Sequence, residues 1–274
     1  MLKLLIMTIA TTIASQASVS EEELVKYFKK FIVKNPSVQV LGVEVLDVVK
    51  VPEYPGWEVY LTNMKLRFNN EEVSAPQSVF VNGTLFTPML VDMATGMDFA
   101  RDIKPKVAPV YYDEKHLIAG NGNAKHKILI FSDPQCPFCM EVVPEIIKSA
   151  RAYPETFAVY YYHLPLLQIH PVSGILVRAM RVAQDKGQNE IVEKIYALKI
   201  NPAETNEDVV LGAIKDQTGF GITKEEINAQ SIKDEIKTDE KASGKLMVSG
   251  TPTVYIDGVW DKMRDGYKKL VPQK

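Results

Sequence analysis

Phe131-Ser-Asp-Pro-Gln-Cys136-Pro-Phe-Cys139 holds the only two cysteines of a 274-residue chain, spaced as Cys-x-x-Cys. The apolar run 127–131 ahead of it reads as a buried strand, and 140–153 behind it has helical character. A dithiol at a strand-to-helix junction is a redox arrangement. The first turn of a helix carries unpaired N–H groups and partial positive charge, which favour the thiolate that attacks disulfides. Pro137 fits the first helical position, where its missing N–H costs nothing. The spacing therefore predicts Cys136 as the attacking sulfur and Cys139, one turn further in, as the resolving one. The pair would itself be the redox group, with no organic cofactor.

Two other uses of the cysteines are weaker. A zinc site needs two further ligands, and His116, His126, His163 and His170 show no second paired spacing, so no metal is expected. A structural disulfide across four residues closes too short a loop to stabilise much.

The amino terminus changes the meaning of the thiols. Met1–Ala17 has Lys3, an apolar run over 4–14 and Ser15-Gln-Ala17, followed by Glu21-Glu-Glu, which is the layout of a secretory signal peptide cleaved after Ala17. Exported proteins sit where disulfides form. A chain that keeps only this closely spaced pair is using it as a reagent. Composition adds exclusions: with 32 basic and 34 acidic residues the net charge is −2, which leaves no footprint for nucleic acid.

Along the mature chain, 22–34 reads as a short amphipathic helix with Leu24, Tyr27, Phe28 and Phe31 on one side. Valine-rich 38–51, 57–61 and 65–68 read as strands, and Asn82-Gly83 closes a hairpin. Residues 18–90 would thus be a small α+β domain, marginal alone and a candidate for pairing with a second copy. Residues 91–109 are expected to be a linker helix, with Met93, Met97, Ala100 and Ile103 on one face and a stop at Pro105 and Pro109. Residues 110–274 form the redox domain. Tyr111-Tyr112 and 117–119 are expected as strands, and 157–163 as a strand buried on both faces. A run of helices over about 164–231 is inserted before Ser249-Gly-Thr-Pro-Thr253, and His163 and His170 at its start are expected to make local hydrogen bonds.

The two separated signatures, Phe-Ser-Asp-Pro-Gln-Cys-Pro-Phe-Cys at 131–139 and Gly-Thr-Pro-Thr-Val at 250–254, together resemble the thioredoxin superfamily. The layout of the whole chain resembles the periplasmic thiol–disulfide isomerases of the DsbC/DsbG type. That resemblance implies an α/β thioredoxin-like domain with an all-helical insertion, preceded by a small cystatin-like α+β dimerisation domain. It implies Cys136 and Cys139 as catalytic residues, a cis Pro252 with Thr251 before it for substrate binding, and Asp133, Pro137 and Phe138 in support of the site. It further implies a periplasmic homodimer acting as a disulfide isomerase or reductase on misfolded or disulfide-containing exported proteins, kept reduced by a DsbD-like membrane electron donor. Two alternatives remain open: a DsbA-like dithiol oxidase reset by a DsbB-like partner, and a chaperone in which the thiols are secondary. Phe138 departs from the family's usual middle residues, since it offers neither charge nor a hydrogen bond to a thiolate.

Overall fold

The computed structural model describes residues 19–51 and 53–272; the expected signal peptide, 1–17, lies outside the described residues. The chain begins with α1 (Glu21–Tyr27), started by a reciprocal capping box between Ser20 and Glu23 and continued as a wider π turn over Phe28–Ile32. Strands β1 (Val38–Lys50), β2 (Glu58–Phe68), β3 (Glu71–Asn82) and β4 (Leu85–Thr87) follow as an antiparallel meander. The alternation of apolar residues along β2 and β3 turns Tyr60, Met64, Val79 and Val81 onto α1, where they enclose Leu24 and Phe28. The opposite face of the same sheet buries Val59, Leu61 and Phe80 against Phe99 and Met247, so the small sheet is seated on the chain that leads into the second signature. Lys104 Nζ adds a hydrogen bond of 2.7 Å to the Met247 carbonyl.

The expected linker helix is corrected here. Only α2 (Phe99–Asp102) is helical, capped by Asp98, and Val91 pairs with Asp98 across a tight turn. The Asp92 carboxylate accepts from the Ala94 and Thr95 N–H groups, and Gly96 takes φ +72°. A short acidic side chain thus captures backbone donors that a helix would need, and the periodicity of the methionines is overridden. Tyr111 likewise lies in a 3₁₀ turn, Pro109–Tyr111, and not in a strand.

The second sheet has strand order β5-β7-β6-β8-β9, from β5 (Leu117–Gly120), β6 (His126–Ser132), β7 (Phe157–His163), β8 (Thr253–Ile256) and β9 (Val259–Trp260). β6 and β7 are parallel, joined by α3 (Pro137–Ala152), while β8 runs antiparallel to β6. Between β7 and β8 the chain makes α4 (Ser173–Asp185), α5 (Glu190–Tyr196), α6 (Glu207–Thr218), α7 (Lys224–Asn228) and α8 (Gln230–Lys245). Their apolar faces share one core with α3 and the sheet. No helix among the described residues is long and apolar enough to cross a membrane.

A buried polar seam ties β7 to these helices. His163 is fully buried, donates from Nε2 to Gln184 at 2.7 Å, and its backbone N–H donates to Asp239. Burial lowers its pKa to about 4. The folded state therefore keeps His163 neutral where the unfolded chain protonates it near 6.5, so its contribution is present above that pH and lost as pH falls toward 4. The loss amounts to roughly 3 kcal/mol. Urea unfolding from pH 7 to 4 should show this decline, and His163→Gln should flatten it. His116 shifts oppositely: burial alone would lower it, but Asp239 and Asp113 outweigh burial and raise it. Its share is present below 6.5 and lost as pH rises through the raised value.

Candidate active site

The ladder between β6 and β8 pairs Phe131 with Thr253. Residues 132–136, leaving the end of β6, therefore pass directly beside residues 250–252, entering β8. This register brings the two sequence signatures together across more than a hundred intervening residues. The Thr251–Pro252 peptide is cis, and the Thr251 carbonyl accepts from Cys136 Sγ at 3.5 Å. Cys136 is the N-cap of α3 with extended backbone (φ −69°, ψ 123°), Pro137 opens the helix, and the Met140 N–H closes the first turn onto the Cys136 carbonyl. Helix capping thus places one sulfur at the electropositive end of α3 and the other on its inner face.

The cysteines differ in access. Cys136 is 6% exposed and Cys139 is completely buried, both as free thiols. Burial pushes the Cys139 thiol up to about 12; the Ser132 and Thr251 side chains and the Asp133 backbone pull the other way, and the neighbouring Cys136 adds to the rise. Of the two sulfurs only Cys136 keeps any exposure. Phe138, 64% exposed, stands on the rim and forms one wall of a groove of about 370 Å³ with Glu141, Val142, Glu145, Met263 and Arg264.

Asp133 sits beneath the loop. Fully buried, it accepts four hydrogen bonds: from the Gln135 N–H (2.7 Å) and Ser173 Oγ (2.6 Å) on Oδ1, and from the Leu166 N–H (2.7 Å) and His170 Nδ1 (3.2 Å) on Oδ2. All four acceptor positions of the carboxylate are filled. The side chain fastens the active-site loop to the start of α4 and to the segment after β7. His163 and His170 are the local hydrogen-bonding residues expected of them. Ser132, Ser173, Tyr161 and Tyr196 were not legible as site residues: Ser132 lay within the motif, but nothing in the sequence links it to a tyrosine 64 positions away.

A family profile described as Thioredoxin matches residues 113–270, more than half of the chain. The chain belongs to the thioredoxin family. It is 25% identical over 149 residues to a probable disulfide bond formation protein D of Bacillus cereus, covering 51% of this chain and 68% of that protein. It is also 25% identical over 155 residues to the Na(+)/H(+) antiporter NhaA 3 of Salinispora tropica, covering 56% of this chain but only 23% of that protein. Among solved structures, oxidised BdbD from Bacillus subtilis aligns with a TM-score of 0.49 at 15% identity, covering 62% of this chain and 94% of that one. A structure described as a putative protein-disulfide isomerase from Pseudomonas syringae aligns with a TM-score of 0.42 at 14% identity, covering 55% of this chain and 91% of that one. The thioredoxin profile begins after the amino-terminal sheet, so β1–β4 lie outside the matched region.

Proposed function

We propose that this thioredoxin-family chain is an exported thiol–disulfide oxidoreductase that isomerises and reduces disulfides in other exported proteins. The observation that carries the reading is the unequal pair at the start of α3: a Cys136 that keeps 6% exposure under the Thr251 carbonyl, and a completely sealed Cys139 behind it. The Cys136 thiolate attacks a client disulfide, one client thiolate leaves, and a mixed disulfide forms. A second client thiolate can displace Cys136, which reshuffles the client. Cys139 can displace it instead, which leaves the client reduced and the Cys136–Cys139 pair oxidised. Thr251 and Pro252 present a backbone edge to an extended client strand, and the exposed Phe138 and Met263 offer apolar contact to unfolded chain.

The amino-terminal sheet supports an isomerase that works as a homodimer. β1 is 13 residues long, pairs only with β2 among the described residues, and shows Leu41 and Val48 at its surface. A free edge of that length is a template for strand pairing, and a second copy would cover it. In this reading export follows from the signal peptide, the compartment is the periplasm, and a DsbD-like membrane donor returns electrons to the pair.

A second reading, a dithiol oxidase reset by a DsbB-like partner, draws support from the name of the Bacillus cereus relative. The two differ in resting state. Acid quenching of cells followed by alkylation with a mass-shifting thiol reagent should find Cys136 and Cys139 mostly reduced. Mostly oxidised cysteines would establish the oxidase instead.

A further inference from the structure

Three hydroxyls lie in a row behind the resolving cysteine. Ser132 Oγ is 2.6 Å from Tyr196 OH, which is 2.7 Å from Tyr161 OH. All three residues are buried, Ser132 and Tyr161 completely. Ser132 ends β6, Tyr161 is on β7 and Tyr196 closes α5, so the row spans the sheet and the helices inserted into it.

Counting protons shows what such a row can do. Three hydroxyls supply three protons, and the two links between them use two. The third is left on Tyr161, on Ser132, or on the central Tyr196 if both neighbours donate to it; on Tyr196 it has no further acceptor among the described residues. At the Tyr161 end it meets no acceptor among the described residues, and an unmade hydrogen bond in the interior is costly. At the Ser132 end it lies toward Cys139, which packs in one buried cluster with Tyr161 and Tyr196 and whose thiol the Ser132 side chain pulls down. Tyr161 then donates to Tyr196, Tyr196 to Ser132, and Ser132 to the sulfur. Polarisation along the row strengthens the last bond, most of all when the sulfur is an anion.

We propose that Ser132, Tyr196 and Tyr161 form a directed hydroxyl chain that stabilises the Cys139 thiolate at the moment it resolves the mixed disulfide. The inference rests on the thiol–disulfide reading above. In the step, Cys139 loses its proton and its sulfur attacks Cys136 Sγ. The Cys136–Cys139 bond forms, the bond from Cys136 to the client sulfur breaks, and the departing client thiolate takes up the proton. The hydroxyls donate hydrogen bonds throughout and exchange no electrons. They are positioning residues, with Ser132 nearest the reacting sulfur.

An aromatic disulfide that releases one coloured thiolate per exchange separates the two events in the reduced full-length protein. The first release reports attack by Cys136, and the second reports resolution by Cys139. Tyr196→Phe should slow the second release about tenfold and move its pH profile upward, with the first release within about twofold of the parent. Tyr161→Phe should slow the second release less. Ser132→Ala should match or exceed Tyr196→Phe, and Ser132→Thr, which keeps the hydroxyl, should restore the rate. A second release unchanged in folded Tyr196→Phe and Ser132→Ala would overturn the proposal, as would a loss that Ser132→Thr does not recover. Survival of the first release in Cys136→Ser would instead defeat the assignment of the attacking sulfur, so the two failures are told apart.

Discussion

Asp133→Ala is expected to lower folding stability by about 3–5 kcal/mol, an effect of the size seen when one partner of a buried charged network is removed. The substitution leaves the Gln135 and Leu166 N–H groups and the Ser173 hydroxyl facing a void, with His170 unpaired beside them. Each orphaned buried donor loses the hydrogen bond that offset its desolvation. The damage should be local as well as global. The 132–136 loop is held to α4 by this one carboxylate, so amide exchange at Gln135 and Leu166 should accelerate before the sheet opens. Denaturant unfolding gives the first quantity and hydrogen exchange the second. A loss below about 1 kcal/mol would mean that water replaces the carboxylate, and that the loop is held by packing alone.

The two cysteine substitutions have the largest expected effects on activity, and they are opposite in kind. Cys136→Ser should reduce disulfide exchange to the uncatalysed background, because a hydroxyl cannot form the mixed disulfide and the remaining sulfur is sealed from clients. Cys139→Ser should keep the attack and lose the internal release. Mixed disulfides with clients should then accumulate and appear as reductant-sensitive bands of higher mass on non-reducing gels. Isomerisation should persist in part, since client thiols can still displace Cys136. Equal loss of all activities in both variants would contradict the assigned roles. Full retention in the double serine variant would favour a chaperone.

Some of this was readable along the chain and some was not. The strand, turn and helix around the Cys-x-x-Cys were legible because each depends on neighbours: an apolar run, a proline at the first helical position, a cysteine at the cap. The Asn82-Gly83 hairpin was legible for the same reason, and Gly83 does take a positive φ of +57°. The 91–109 segment shows where local reasoning fails. Its methionines repeat at helical spacing, yet Met93 is almost fully exposed and the Asp92 side chain closes a turn instead. Periodicity reports which residues could share a face. It does not report whether that face meets a core.

The sequence by itself determined the chemistry on offer: one dithiol at a helix start and a Thr-Pro motif to set against it. Those properties follow from residue identity and from spacings of a few positions, over which backbone geometry leaves little choice. The tertiary structure decided the environment of that chemistry. It sealed Cys139 completely while leaving Cys136 6% exposed, filled every acceptor position of Asp133, and brought Tyr161 and Tyr196 in line with Ser132. Burial and hydrogen-bond partners are sums over residues distant in sequence. They become defined only when the β6–β8 register and the packing of the inserted helices have set which distant groups meet.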